Sequence, residues 1–196
     1  AALVLVPYYN KPTQKVLEAH FQAVADASPI PIFLYNVPGR TSISLSAPTV
    51  GELAKNAKIV GIKEASGNLA VLSEMRIAVA NAAPSKKFLF LSGDDLTFWP
   101  FLTTGGDGVI SVASNVMPAE MIQLFEFFKK ENLAEGLSLH EKLFSFFNAL
   151  FIEANPVPVK AVLAWQGFMN SKCRLPLFDL QSSNAQILKR IFEAVK

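Results

Sequence analysis

At 196 residues, 51% of them hydrophobic, the chain carries enough apolar material to bury a substantial core in one large domain or two small ones. Its 18 basic and 16 acidic residues are interspersed and leave a formal net charge of +2, which excludes a nucleic-acid surface; the densest basic runs, Lys86-Lys87 and Lys129-Lys130, read as solvated helix ends or loops. No apolar run reaches the roughly 20 residues that a membrane span needs, the opening "AALVLV" is too short for a signal-peptide core and lacks a basic start, and the one cysteine, Cys173, excludes an internal disulfide and fits a reducing cytoplasm.

Strand and helix signals then alternate along the chain. "AALVLVPYY" reads as a strand and precedes a helix opened by Thr13, running to Ala27; "PIPIFLYNVP" precedes a helix from about Ala47 to Asn56. "KIVGIKEA" precedes a helix from Asn68 to Ala82, "KFLFLSGDD" one from Leu96 to Thr103, and "DGVISVAS" one from Pro118 to Lys130. The strands are short, apolar throughout and rich in Val and Ile, the pattern expected when helices cover both faces. After them only helices follow: Asn132 to Ile152 with an apolar stripe (Leu139, Leu143, Phe146, Phe147, Leu150), Val157 to Met169, and Ser183 to Lys196 with Ser183 as its cap. The stripe reads as core and not as a cofactor box.

Five consecutive β/α units make a parallel sheet. An open doubly wound sheet would carry a glycine-rich turn after its first strand, and none of the five strands is followed by G-x-G-x-x-G; the "GGDG" at 105–108 precedes a strand and reads as a tight turn. In a (β/α)8 barrel, polar residues gather where strands end, because the chemistry sits at that mouth. They do so here: Tyr8, Tyr9 and Asn10; Tyr35, Asn36 and Arg40; Lys63, Glu64 and Ser66; Asp94 and Asp95; Ser111, Ser114 and Asn115. Five strands of about eight account for part of a barrel, so the expectation is the last five β/α units of a longer protein's barrel, residues 1–131, followed by a helical appendix, residues 132–196.

"IVGIKEAS", residues 59–66, puts Lys63 at the end of a buried strand. An ammonium carried there must be paired, reach water or lose its proton. Taken alone, the residue is more often paired, with Glu64 as the nearest candidate. At the mouth of a barrel, desolvation disfavours the charged form and frees a neutral amine that can attack a carbonyl and form a Schiff base. That chemistry needs a proton shuttle, and Tyr35, a phenol at the end of the neighbouring strand, is suited to it.

Seven stretches together carry a family resemblance: "PYYNKP" (7–12), "YNVPGRT" (35–41), "GIKEASGN" (61–68), "SGDD" (92–95), "GVISVASN" (108–115), "NPVPVK" (155–160) and "RLPLFDL" (174–180). In this order they resemble the dihydrodipicolinate synthase branch of the pyruvate-dependent class I aldolases. The resemblance implies that Lys63 forms the Schiff base with pyruvate and that Tyr35 relays protons over it. It implies that Arg40 holds the carboxylate of L-aspartate 4-semialdehyde, that Tyr9 enters a neighbouring subunit's site, that Tyr8 lies at the tight dimer interface, and that Gly93 and Ile110 line the pyruvate pocket. It implies no metal or cofactor beyond the covalent Schiff base, a cytoplasmic enzyme, and a homotetramer built as a dimer of tight dimers when complete.

One departure stands out. The family's "GGTTGE"-type segment, whose threonine links the two tyrosines, would lie before Ala1, so a polypeptide of these 196 residues alone is expected to aggregate and to lack condensation activity. N-acetylneuraminate lyase shares the lysine and the tyrosine but lacks an arginine after its "YN.P", which makes Arg40 the residue favouring the synthase; some sugar-acid aldolases keep that arginine. A non-catalytic fragment is the reading from another class. A pyridoxal phosphate barrel would also use a strand-end lysine, without a matching phosphate loop here.

Overall fold

The computed structural model describes residues 1–196. The chain folds as two compact units, Ala1–Ile110 and Ser111–Lys196. The first alternates strands with helices. β1 (Ala2–Leu5), β2 (Ile32–Asn36), β3 (Ile59–Glu64), β4 (Leu89–Ser92) and β5 (Gly108–Val109) form one sheet in that order, all parallel. A doubly wound sheet reverses its strand order at a switch point. Strictly sequential order with right-handed crossovers instead sends every helix to the same face, which is how a barrel is wound.

The helices of this unit are α1 (Gln14–Ala27), the single turn α2 (Pro38–Thr41), α3 (Ala47–Leu53), α4 (Leu69–Ala82) and α5 (Phe98–Thr103). α1 buries Leu17, Phe21 and Ala25, four residues apart and hence on one stripe. α4 starts where Asn68 Oδ1 accepts the Ala70 N–H at 3.0 Å, an N-cap at the expected helix start. It packs so close to α3 that a Cβ on Gly51 would lie 2.9 Å from the Ala78 carbonyl oxygen, so this contact requires glycine. Gln14 ties α1 to the start of α3: its Oε1 accepts from Ser46 N–H and Thr49 Oγ1, and its Nε2 donates to Ser44 O.

Side chains along each strand alternate between two environments. Ile32, Leu34, Ile59, Ile62 and Phe90 sit in the core with the helices. Leu3, Leu5, Phe33, Tyr35, Lys63, Leu89 and Leu91 are half-buried or exposed on the other face. The expectation that helices cover both faces therefore fails, because a singly wound sheet has helices on one side only.

The second unit begins with a 3-10 turn at Ala113–Asn115 and continues through α6 (Pro118–Lys129), α7 (Leu133–Ala149), α8 (Val157–Trp165) and α9 (Ser182–Val195). The α7 stripe is core, as expected: Leu143, Phe146, Phe147 and Leu150 are fully buried, and Phe146 meets Phe192 of α9 with ring centroids 5.5 Å apart. Ser183 is not the cap of α9. Gln181 holds that position, and Glu153 serves the helix start from a distance, its Oε1 accepting from Gln181 N–H at 2.9 Å and Asn184 Nδ2 at 2.8 Å. A carboxylate there also complements the positive end of the helix dipole. No helix is long and apolar enough to cross a membrane.

Candidate active site

The strand register sets the site. Leu5 pairs with Tyr35, Tyr35 with Lys63, Lys63 with Leu91, and Leu91 with Gly108, so one row of positions crosses all five strands on the face away from the helices. Lys63 and Tyr35 are the polar members of that row. The Lys63 amine lies over the Tyr35 ring, 4.3 Å from its centroid. Such a contact orients a flexible lysine without pairing it to a carboxylate.

Room for the amine comes from Gly93, just past β4. A Cβ there would lie 2.8 Å from Lys63 Cε and 2.5 Å from Ala65 Cβ. Gly93 N–H donates to Glu64 O at 2.7 Å, which holds the glycine against the end of β3. Ile110 extends β5 by one residue, its N–H donating to Ser92 O at 2.8 Å, and its side chain is 38% exposed.

Other expected residues stand further out. Tyr8 and Tyr9 are 63% and 94% exposed, and Tyr9 holds a left-handed backbone with φ of 60°. Arg40 is exposed in the last turn of α2, which ends on a left-handed Ser42. The structure thus brings Lys63, Tyr35 and Gly93 together and leaves Tyr8, Tyr9 and Arg40 presented to solvent.

Several strand-end polar groups shape turns instead. Asp94 Oδ2 accepts from Thr97 Oγ1 at 2.7 Å and Thr97 N–H at 3.2 Å, ahead of α5. Ser111 Oγ accepts the Ser114 N–H at 2.8 Å, which starts the 3-10 turn.

Glu64 is not the partner of Lys63. One residue further along β3, it points to the opposite face, is 3% exposed, and accepts from Asn36 Nδ2 at 2.7 Å and from Ser66 N–H at 2.6 Å. Nor does burial alone mark the site. Desolvation lowers the pKa of a different lysine, Lys86, whose amine donates to the carbonyls of Ala54 and Asn56 just past α3. Its surroundings are those of a structural tie, with no phenol beside it.

Chemically, an amine on a half-buried sheet face, with a phenol against it and a glycine leaving space in front, is equipped to add to a small carbonyl compound.

Comparison with known proteins gives consistent relatives. A 4-hydroxy-tetrahydrodipicolinate synthase of Syntrophus aciditrophicus is 45% identical over 191 residues, 97% of this chain and 64% of the relative. The chain spans 61–66% of the length of such curated relatives. The crystal structure of dihydrodipicolinate synthase from Thermotoga maritima matches with a TM-score of 0.94 at 36% identity, over 98% of this chain and 65% of that one. The chloride-inhibited dihydrodipicolinate synthase from Acinetobacter baumannii, solved in complex with pyruvate, matches with a TM-score of 0.91 at 38% identity, over 99% of this chain and 65% of that one. The fold is accordingly that of these relatives' (β/α)8 barrel, represented by five consecutive strands of it and a C-terminal helical region. The sequence model of the dihydrodipicolinate synthetase family matches residues 1–195, and the chain belongs to that family.

Proposed function

We propose that the protein condenses pyruvate with L-aspartate 4-semialdehyde through a Schiff base on Lys63, the activity named for its relatives and a step toward diaminopimelate and lysine. The observation that carries this reading is the pairing of Lys63 with Tyr35 in register and in contact, 4.3 Å from amine to ring centroid. In this reading the Lys63 amine adds to the pyruvate keto carbon, and loss of water leaves an iminium. Loss of a C3 proton gives the enamine, whose C3 then bonds to the aldehyde carbon while the aldehyde oxygen takes up a proton; the amine of the aldehyde substrate then adds to the re-formed iminium and displaces Lys63, closing the ring and freeing the lysine. The Tyr35 phenol carries the proton between the carbinolamine oxygen and solvent, with Tyr9 of a second subunit as the next carrier. Gly93 and Ile110 bound the pyruvate side. Arg40 grips the carboxylate of the aldehyde substrate with its planar fork. The lysine does this without metal or added cofactor. The working assembly is a homotetramer with Tyr8 at the tight interface, in the cytoplasm.

Borohydride reduction in the presence of pyruvate, on a form of the protein that also carries the N-terminal β/α units of its relatives, tests the reading. A reduced pyruvyl adduct is expected on the peptide containing Lys63 and is expected to vanish in Lys63→Ala; an adduct that survives that substitution overturns it. Arg40→Ala should leave trapping intact while lowering use of the aldehyde by roughly ten- to a hundredfold, since a charged bidentate contact contributes about 1.5–3 kcal/mol. An equal loss in both measurements would refute the role given to Arg40.

A further inference from the structure

Directly beyond the Tyr35–Lys63 row, the next pair in register is Asn36 and Glu64. Both are buried, 0% and 3% exposed, on the helix-covered face. Two polar side chains in such a place are costly unless every donor and acceptor is matched, and here they are. Glu64 Oε2 accepts from Asn36 Nδ2 at 2.7 Å and Oε1 accepts from Ser66 N–H at 2.6 Å. Asn36 Oδ1 accepts from Leu45 N–H at 3.0 Å and faces Ser44 Oγ. The backbone closes the same joint: Ala65 N–H donates to Asn36 O at 2.8 Å, and Gly93 N–H to Glu64 O at 2.7 Å.

We propose that Asn36 and Glu64 are positioning residues, a buried clamp whose side chains lock the ends of β2 and β3 together and thereby hold the Lys63 amine against Tyr35. The clamp lies on the opposite face of the sheet from the Lys63 amine. It acts through register, since each clamp residue is covalently next to a site residue and a slip of one step would turn Lys63 away from the row it shares with Tyr35. This rests on the Schiff-base reading only for its consequence in activity.

The hydrogen-bond pattern has a directional logic that makes the clamp testable. Glu64→Gln replaces one acceptor by a donor. If the introduced glutamine keeps accepting from Ser66 N–H, its amide N–H2 faces the Asn36 amide N–H2; if Asn36 flips to relieve that clash, its own N–H2 faces the Leu45 N–H. One donor is orphaned either way. The exchange Asn36→Asp with Glu64→Gln restores every bond: the glutamine accepts from Ser66 N–H and donates to the new aspartate, whose oxygens accept from that amide, Leu45 N–H and Ser44 Oγ. Volume and total charge are preserved.

Two readouts, on a form of the protein that also carries the N-terminal β/α units of its relatives, separate the clamp from the functional reading. The first is the ring-current shift of the Lys63 ε-methylene protons, which an amine over the Tyr35 ring produces with or without activity. The second is the rate of borohydride-trapped pyruvate. Glu64→Gln is expected to lose the ring-current shift and to trap pyruvate about tenfold more slowly, because small displacements of a reacting group carry large rate penalties; the exchange variant is expected to recover both to within about twofold. A Glu64→Gln protein that is less thermostable yet keeps the shift and the trapping rate would make the pair merely structural and overturn the proposal, as would an exchange variant that fails to recover the shift. If the shift follows the expected pattern but the wild-type protein traps no pyruvate, the clamp stands and the Schiff-base reading falls.

Discussion

Lys63 raises the sharpest residue-scale question in the sequence, and strand parity answers it. A side chain at Lys63 shares its face with Tyr35 and Leu91, whereas Glu64 shares its face with Asn36 and the buried core. The carboxylate nearest in sequence is thus on the wrong side of the sheet for an ion pair. The sequence did not give that parity away, because Phe33, Leu89 and Leu91 keep the second face apolar too; only in the structure do Ile32, Leu34 and Asn36 share one buried face with Ile62 and Glu64. The family resemblance placed Gly93 at the pyruvate pocket, but the physical need for a glycine there was not legible, because a glycine's value lies in what its missing Cβ would strike. Gly93→Ala places a methyl 2.5 Å from Ala65 Cβ and 2.8 Å from Lys63 Cε. The lysine can swing aside but Ala65 is fixed to the backbone, so the variant is expected to lose about 1–3 kcal/mol of stability by overpacking and to trap pyruvate more slowly. Urea midpoints and the trapping rate check it; an unchanged rate would mean that Gly93 does not bound the amine's space.

Among the elements, helices α1 and α4 were readable from their first residues, since Thr13 and Asn68 precede clean apolar spacings. β5 is shorter than its apolar run suggests. That run continues past Ile110, but Ser111 Oγ takes the Ser114 N–H and turns the chain into a 3-10 turn before a longer strand can form. Two lysines just ahead of strands have roles that local sequence does not signal, because their partners are carbonyls some 30 residues back. Lys58 donates to Ser28 O at 2.8 Å and Asp26 O at 3.2 Å at the end of α1, and Lys86 donates to the carbonyls past α3. Each places a cation at the negative end of a helix. Lys86→Met keeps the apolar stem but orphans the two carbonyls, with an expected loss of about 1 kcal/mol at neutral pH. Burial lowers the Lys86 pKa below 10.5, so just under that value the unfolded chain binds more protons than the folded one at this site. Its contribution to stability therefore rises as pH climbs through that window, and the deficit of Lys86→Met should be larger at about pH 10 than at about pH 7 in paired urea titrations. A deficit that shrinks with pH would contradict this assignment.

At the scale of the whole molecule, ion pairing contributes little. Lys55–Glu52 and Lys130–Glu126 are exposed helix-surface pairs at 2.7 and 3.7 Å, each worth a few tenths of a kcal/mol at most. Apolar burial and strand pairing hold the first unit together, and strand pairing is also where it is vulnerable. β1 pairs with β2 alone and β5 with β4 alone, but the two edges are unequal. β5 offers two residues, too few to template another strand. β1 offers four, with Leu3 44% exposed on the face away from the helices. The structure concentrates the hazard on β1, so a polypeptide of these 196 residues is expected to self-associate through that edge. Leu3→Lys puts a charge on the edge without touching the helix-side core, and should shift the polypeptide toward monomer while leaving its circular dichroism unchanged. Sedimentation velocity at several concentrations decides it: a wild-type chain that stays monomeric, or a Leu3→Lys variant that associates as strongly as wild type, would show that β1 is not the sticky edge.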